Sequence, residues 1–137
     1  MRKFAMIIIL FSITAMAGCS LSNQRMAKKM IEKYSIEQNY VALSGEIIEF
    51  NQNNVVIKCE EIKNYISYED DVCEYYVYSD EILDLKIGDQ IDFVTAPFHF
   101  YNGHKLPIIE VKKDGCTLLP FEDGKNNLIE WVNTNFK

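Results

Sequence analysis

The chain has 137 residues with 14 basic and 20 acidic side chains, which gives a formal net charge of −6. A chain of this length fits one domain with a single hydrophobic core and leaves little room for a second domain. The acidic balance argues against a nucleic-acid partner, because binding to phosphates requires clustered lysine and arginine.

The first residues have the layout of an export signal. Arg2 and Lys3 form a positive start, an apolar run follows over residues 4–17, and small residues precede Cys19. The apolar run spans 14 residues, whereas a transmembrane helix needs about 20. We therefore predict a signal peptide over residues 1–18. A retained transmembrane helix, and cleavage that leaves Cys19 as an unmodified thiol, are the alternatives.

The four residues Met16-Ala17-Gly18-Cys19 resemble the processing site of bacterial lipoproteins, with Met16 in the place of the more usual leucine. The resemblance implies that the Cys19 thiol receives a diacylglycerol, that the chain is cut just before it, and that further acylation, for example with palmitate, completes the anchor. Residues 19–22 would then form a short lipidated tether. The implied location is the cell membrane or the outer membrane, on the extracytoplasmic side, with membrane lipid as a partner through Cys19.

After this cleavage the charge is unevenly distributed along the chain. Residues 19–34 carry a net charge of +3, and residues 35–137 carry a net charge of −11. Anionic headgroups attract each basic side chain close to the membrane surface by about 1 kcal/mol, which favours a membrane contact for residues 19–34. The same lysines also fit the solvated face of an amphipathic helix, so both interpretations stand.

The remaining chain alternates between helical and strand-like patterns. Apolar residues recur at helical spacing after Asn23 and predict a helix over about residues 23–35. Apolar and polar residues then alternate at the spacing of strands. The predicted strands are residues 40–50, 55–59, 73–78, 90–95, 104–111 and 116–119. A second helix is predicted over about residues 125–136, just after Gly124.

Three local features refine this prediction. Gly45 lies inside the first strand and indicates a bend or bulge. Ser79 predicts a short helical turn that runs through Leu85. Asn102-Gly103 predicts a tight hairpin between residues 98–101 and residues 104–111, because both turn residues tolerate a positive φ.

The order of a helix, about five strands and a helix fits a small Greek-key barrel. The segments that carry a closer resemblance are Ser44-Gly45-Glu46-Ile47, Val55 to Cys59, Cys73-Glu74-Tyr75 and Leu85 to Phe93. They are similar to the anticodon-binding-like OB domains of bacterial lipoproteins, over about residues 40–115. The resemblance implies a mainly β fold: a five-stranded OB-like Greek-key barrel over about residues 40–119, inside a domain of residues 23–137, with an N-terminal and a C-terminal helix. It implies a binding face rather than an activity.

Three cysteines follow Cys19, which is an odd number in a compartment that permits disulfides. Cys59 and Cys73 lie on two strands that should be neighbours, so they form the candidate disulfide, and buried thiols are the alternative. On the third strand, Tyr76 and Tyr78 are candidates for the outer face, because they alternate with the inward residues.

Two kinds of side chain are candidate ligands. His99 and His104 would lie close together across the hairpin, but zinc usually requires three or four protein ligands, so we predict no metal site there. Two acidic clusters also offer carboxylates to a cation, although neither has the spacing of a calcium loop. They are Glu69-Asp70-Asp71 and the group Asp80, Glu81 and Asp84.

The sequence contains no glycine-flanked nucleophilic serine, no cysteine and histidine pair with a third orienting group, and no phosphate-binding glycine loop. We therefore predict no enzymatic activity, no catalytic residues and no cofactor. The leading interpretation is a non-enzymatic binding or protein-interaction module whose partner is an envelope protein or a small-molecule ligand. The alternative is a receptor or accessory protein that captures a cation or a small cationic ligand through the acidic loops. A hydrolase of cell-envelope material is a third option, and it would require a cleft with a perturbed carboxylate pKa.

Overall fold

The computed structural model describes residues 21–59, 72–96 and 105–136. Within these ranges, helix α1 covers residues 21–34 and helix α2 covers Phe121–Asn135. A short 3₁₀ helix, Glu37–Asn39, connects α1 to the first strand. The strands are β1 (Val41–Asn51), β2 (Asn54–Cys59), β3 (Val72–Val77), β4 (Gln90–Thr95), β5 (Leu106–Lys113) and β6 (Cys116–Leu119).

Five of these strands close into a barrel. The strands follow the order β3-β2-β1-β4-β5-β6 in the sheet, and β3 also pairs in parallel with β5. The pairing of β3 with β5 closes the ring, and β6 extends β5 outside it as an antiparallel strand. This is the strand order of an OB-like barrel. The prediction of a mainly β fold, with a five-stranded OB-like barrel and a helix at each end, is confirmed.

Alternating side chains fill the interior of the barrel. In β3, Cys73, Tyr75 and Val77 are buried, because successive residues of a strand point to opposite faces of the sheet. The rings of Tyr75 and Phe93 meet edge to face, with centroids 5.1 Å apart. Burial raises the pKa of the Tyr75 hydroxyl, so this group stays protonated inside the barrel. Burying an apolar side chain of this size contributes about 1.5–3 kcal/mol.

A second apolar cluster lies outside the barrel, where the two helices cover part of the sheet. Met30 and Tyr34 of α1 and Leu128 and Val132 of α2 are buried in this cluster, together with Ile109 of β5. The residues of each helix recur at helical spacing, so each helix uses one apolar face to pack on the barrel.

Helix α1 begins earlier than the sequence indicates. Residues 21 and 22, which we assigned to the tether, are already helical. Asn23 therefore lies inside the helix and is not its N-cap. No helix in the described ranges is long and apolar enough to span a membrane.

Helix α2 also begins earlier, at Phe121 instead of about residue 125. Pro120 occupies the N-cap position, and Glu122 and Asp123 lie in the first turn, where carboxylates interact favourably with the helix dipole. Gly124 is inside the helix because α2 packs closely against β5. A Cβ atom at residue 124 would lie 2.6 Å from the Cα and the carbonyl carbon of Ile109.

The bulge in β1 lies at Ile48, and its predicted position at Gly45 is wrong. The pairing with β2 shifts between Ile47 and Glu49, which leaves Ile48 as the extra residue. Gly45 serves a different purpose. A Cβ atom there would lie 2.5 Å from Cγ2 of Ile57, so only glycine lets the two strands approach this closely.

The connection between β3 and β4 is irregular over residues 78–89, and the predicted helical turn from Ser79 through Leu85 is wrong. The Oγ atom of Ser79 accepts a hydrogen bond from the Glu81 N–H at 3.2 Å. This contact caps a single bend of the chain, and no helix continues from it.

The carboxylate of Asp89 fixes the end of this connection. Asp89 is 8% exposed, and its Oδ2 atom accepts a hydrogen bond from the Lys86 N–H at 2.9 Å. The Nζ atom of Lys113, on β5, lies 2.7 Å from the same oxygen. The hydrogen bond from Lys113 holds the pKa of Asp89 below its usual range, and Asp89 in turn raises the pKa of Lys113.

Several predicted features lie outside the described residues. They are the signal peptide and Cys19, the acidic cluster Glu69-Asp70-Asp71, the hairpin at Asn102-Gly103, and His99 and His104. These predictions stay as the sequence analysis states them.

Candidate binding surfaces

The acidic residues Asp80, Glu81 and Asp84 are all exposed on the connection between β3 and β4. Within residues 21–59, 72–96 and 105–136, no group of three or more histidine, cysteine, aspartate or glutamate side chains has the arrangement of a metal site. The three carboxylates therefore do not converge on a common point. Asp80 instead lies at the edge of a pocket that α2 helps to form.

Cys59 and Cys73 both point into the barrel. In the pairing of β2 with β3, Cys73 lies opposite Ile57, which makes Cys59 its diagonal neighbour. The Sγ atom of Cys59 is 3.9 Å from the hydroxyl oxygen of Tyr75. The structure describes both cysteines as thiols, so the candidate disulfide remains a prediction about the oxidised protein. Cys116 is an exposed thiol on β6.

A polar depression lies on the outer face of β1, β4 and β5, and we call it the outer groove. Its volume is about 620 Å³. Every second side chain of each strand points into this groove, because the side chains of a strand alternate between the two faces. One row of neighbouring residues runs across the three strands from Ser44 through Asp92 to Lys112. A parallel row runs from Lys58 through Glu46.

Charges of both signs line the outer groove. The Ser44 hydroxyl donates a hydrogen bond to Asp92 at 2.5 Å, and the Nζ atom of Lys112 lies 2.7 Å from Oε1 of Glu110. This hydrogen bond to Glu110 raises the pKa of Lys112. The described residues that line the groove therefore offer carboxylate, ammonium and hydroxyl groups to a ligand.

A second depression lies where α2 meets β3, and we call it the junction pocket. Its volume is about 260 Å³, and its lining includes Tyr76, Tyr78, Asp80, Glu130 and Trp131. The ring centroids of Tyr76 and Tyr78 are 5.0 Å apart, and those of Tyr78 and Trp131 are 6.0 Å apart. The pocket thus combines three aromatic rings with two carboxylates.

The two tyrosines that the sequence places on the outer face differ from each other in exposure. Both Tyr76 and Tyr78 point away from the barrel interior, as the alternation of β3 predicts. Tyr76 is half-buried, whereas Tyr78 is 3% exposed because α2 covers it. The side chain of Asn127 donates a hydrogen bond to the Tyr78 carbonyl at 3.1 Å, which joins the helix to this point of the chain.

Sequence reasoning missed Trp131 and Glu130 as members of the junction pocket. The helical spacing of α2 identifies Trp131 as a residue near the apolar face, but it does not say which strand that face contacts. One signal was available in the sequence: Glu130 and Trp131 are adjacent. A carboxylate next to an aromatic residue at the edge of an apolar helix face indicates a partly exposed position.

No protein-family model matches the sequence, and no curated protein matches it. The resemblances to the lipoprotein processing site and to anticodon-binding-like OB domains therefore stay predictions.

Among solved structures, the chain is similar to forms of CusF, although only weakly. The silver form, Ag(I)CusF, has a TM-score of 0.41 and 11% identity over 55% of this chain and 97% of that chain. A Cu(II) form of a tryptophan-to-alanine variant of CusF from Escherichia coli has a TM-score of 0.42 and 12% identity over 58% and 96%. Apo-CusF from Escherichia coli has a TM-score of 0.41 and 12% identity over 55% and 87%. A likeness at this level assigns no function to the chain.

Proposed function

We propose that the chain is a non-enzymatic binding module, held by a lipid on Cys19 at the extracytoplasmic side of the cell membrane or the outer membrane, and that the outer groove contacts its partner. The observation that carries the proposal is the outer groove. It is a depression of about 620 Å³ on a barrel face that neither helix lines.

The start of α1 supports the anchor. Residue 21 is already helical, so that Ser20 alone separates it from Cys19. A lipid on Cys19 would therefore hold the barrel close to the membrane surface. A single acyl chain gives only marginal attachment, and the second or third chain of a lipoprotein anchor makes it stable.

The exposed face of α1 supports the same orientation. Arg25, Lys28 and Lys29 are exposed, whereas Ala27 and Met30 are buried against the barrel. Anionic headgroups would attract each of these basic side chains by about 1 kcal/mol. Residues 35–137 carry a net charge of −11, so the same headgroups would repel the barrel and leave it facing the aqueous compartment.

The charge pattern of the outer groove supports a polar partner of mixed charge. Three carboxylates and two lysines line it, and Ala42 and Val94 add small apolar surfaces between them. Such a surface matches a segment of an envelope protein with charges in the complementary order, because opposite charges across an interface fix the register of the partner.

The anchor is tested by comparing two cysteine substitutions, Cys19→Ala and Cys116→Ala, in cells labelled with palmitate. We expect Cys19→Ala to lose the label and to leave the membrane fraction or accumulate as an uncut precursor. Cys116→Ala is the matched control, and we expect it to behave like the wild type because Cys116 lies on β6, within the folded domain and away from the predicted processing site. A Cys19→Ala chain that stays labelled and in the membrane fraction would refute the anchor.

The outer groove is tested by cross-linking in the cell. A photoactivatable amino acid replaces Ala42 or Val94 in the groove, or Glu74 as the control, since Glu74 is exposed on β3 outside the groove. We expect a discrete adduct from the two groove positions and none from Glu74. The same adduct from all three positions, or none from the groove, would contradict the proposal.

A further inference from the structure

The junction pocket has aromatic walls that come from two different elements. Tyr76 is the second-last residue of β3, and Tyr78 directly follows the strand. Trp131 lies on α2. Tyr76 and Trp131 are half-buried, and Tyr78 forms the buried contact between them at centroid distances of 5.0 Å and 6.0 Å. The pocket therefore presents aromatic surface to a ligand at a fixed place beside the barrel.

The rim of the pocket is acidic. Asp80 and Glu130 are exposed, and no lysine or arginine among the residues that the structure describes lines the pocket. Neither carboxylate forms an ion pair with the residues that the structure describes. Serine, threonine and asparagine side chains complete the lining. The rim attracts a positive charge and repels phosphate or carboxylate groups.

We propose that the junction pocket binds a small organic cation that carries an alkylated ammonium group. A cation within about 6 Å of the face of tryptophan or tyrosine is attracted by the ring quadrupole. Alkyl groups on the nitrogen gain apolar contact with the same rings, and the two carboxylates balance the charge. A calcium ion fits the site less well, because it requires six to eight oxygen ligands and the walls of the pocket are aromatic rings.

This inference goes beyond the proposed function and does not rest on it. It concerns a different surface from the outer groove, and it needs no lipid on Cys19. The sequence indicates capture of a small cationic ligand by the acidic loops as an alternative function. This inference assigns such a ligand to the pocket beside Asp80. Because the rim repels phosphate, the ligand is a free cation and not the headgroup of a phospholipid.

The experiment uses choline and its neutral isostere, 3,3-dimethylbutan-1-ol, with the full chain in maltoside micelles. The chain contains a single tryptophan, so Trp131 fluorescence reports on the pocket directly. We expect a saturable fluorescence change with choline and none with the alcohol at the same concentrations. An equal response to both compounds, or no response to choline, would overturn the inference.

A pair of double variants tests the acidic rim. We expect Asp80→Asn/Glu130→Gln to bind choline about tenfold more weakly, because two exposed charges next to the ligand are lost. The control, Asp114→Asn/Glu37→Gln, removes the same number of charges at exposed positions outside the pocket, and we expect unchanged affinity. Circular dichroism confirms that each variant is folded. Unchanged binding by the rim variant, or equal loss in the control, would overturn the inference.

Discussion

Replacing Gly124 by alanine tests how closely α2 packs on the barrel. The new Cβ would lie 2.6 Å from the Cα and the carbonyl carbon of Ile109, whereas non-bonded carbon atoms rest about 3.5–4.0 Å apart. Helix α2 would therefore have to move by about 1 Å. The obstacle is the backbone of β5, so no change of rotamer can relieve the contact.

The expected destabilisation is the difference between two effects. Overpacking costs about 1–3 kcal/mol, and the upper end applies here because the neighbour is backbone. Alanine recovers about 1 kcal/mol over glycine through its higher helix propensity. We therefore expect Gly124→Ala to lower the free energy of unfolding by about 2 kcal/mol, which corresponds to a Tm lower by about 8 °C for a domain of this size.

Thermal unfolding followed by circular dichroism measures this effect. Asn126→Ala is the matched control, because residue 126 lies on the same helix and is exposed. We expect this control to be as stable as the wild type or slightly more stable, since alanine is a good helix former. A Gly124→Ala chain that is as stable as the control would refute the close packing of α2 against Ile109.

Two further predictions concern the buried carboxylate of Asp89 and the cysteine thiols. Because the pKa of Asp89 is lowered in the folded state, its contribution to stability is present above the unfolded pKa of about 4 and is lost as the pH falls through the lower folded value. In urea unfolding, we expect Asp89→Asn to have a lower free energy of unfolding than the wild type at pH 7. The difference between the two chains should become smaller below about pH 4. A difference that stays the same at all pH values would contradict this prediction. In the reduced native chain, a thiol reagent should modify Cys116 but reach Cys59 and Cys73 only after unfolding. If the reagent labels both Cys59 and Cys73 in denatured protein that was isolated from the cell envelope without a reductant, the candidate disulfide is wrong.

The strands of the barrel could be predicted because their signal is local. Ile91 and Phe93 alternate with polar residues, and the structure buries both of them in β4. A period of two in the sequence translates directly into one buried and one exposed face. The same reasoning identifies Tyr75 as an inward residue of β3.

The errors occur where a distant contact decides the local structure. Glycine in a sequence indicates a break or a bulge, but Gly45 in β1 and Gly124 in α2 are both needed because a neighbouring strand approaches them closely. Their partners, Ile109 and Ile57, are not adjacent to them in the sequence. The bulge at Ile48 depends on the register of β1 against β2. No residue of β1 indicates that register in the sequence.

The junction pocket could be predicted only in part. The sequence singles out Tyr76, Tyr78 and Asp80, which are close together in the chain. It does not connect them with Glu130 and Trp131, because that contact depends on where α2 docks on the barrel. The outer groove was missed for a similar reason, since it depends on the pairing of β1 with β4, two strands that are far apart in the sequence.

The most direct measurement of the proposed anchor is the intact mass of the chain recovered from the cell envelope. We expect a mature chain that begins at Cys19 and carries a diacylglycerol together with one further acyl group or none. An uncut chain that begins at Met1, carries no lipid and is recovered from the cytosol would contradict the proposed location and the binding role that depends on it.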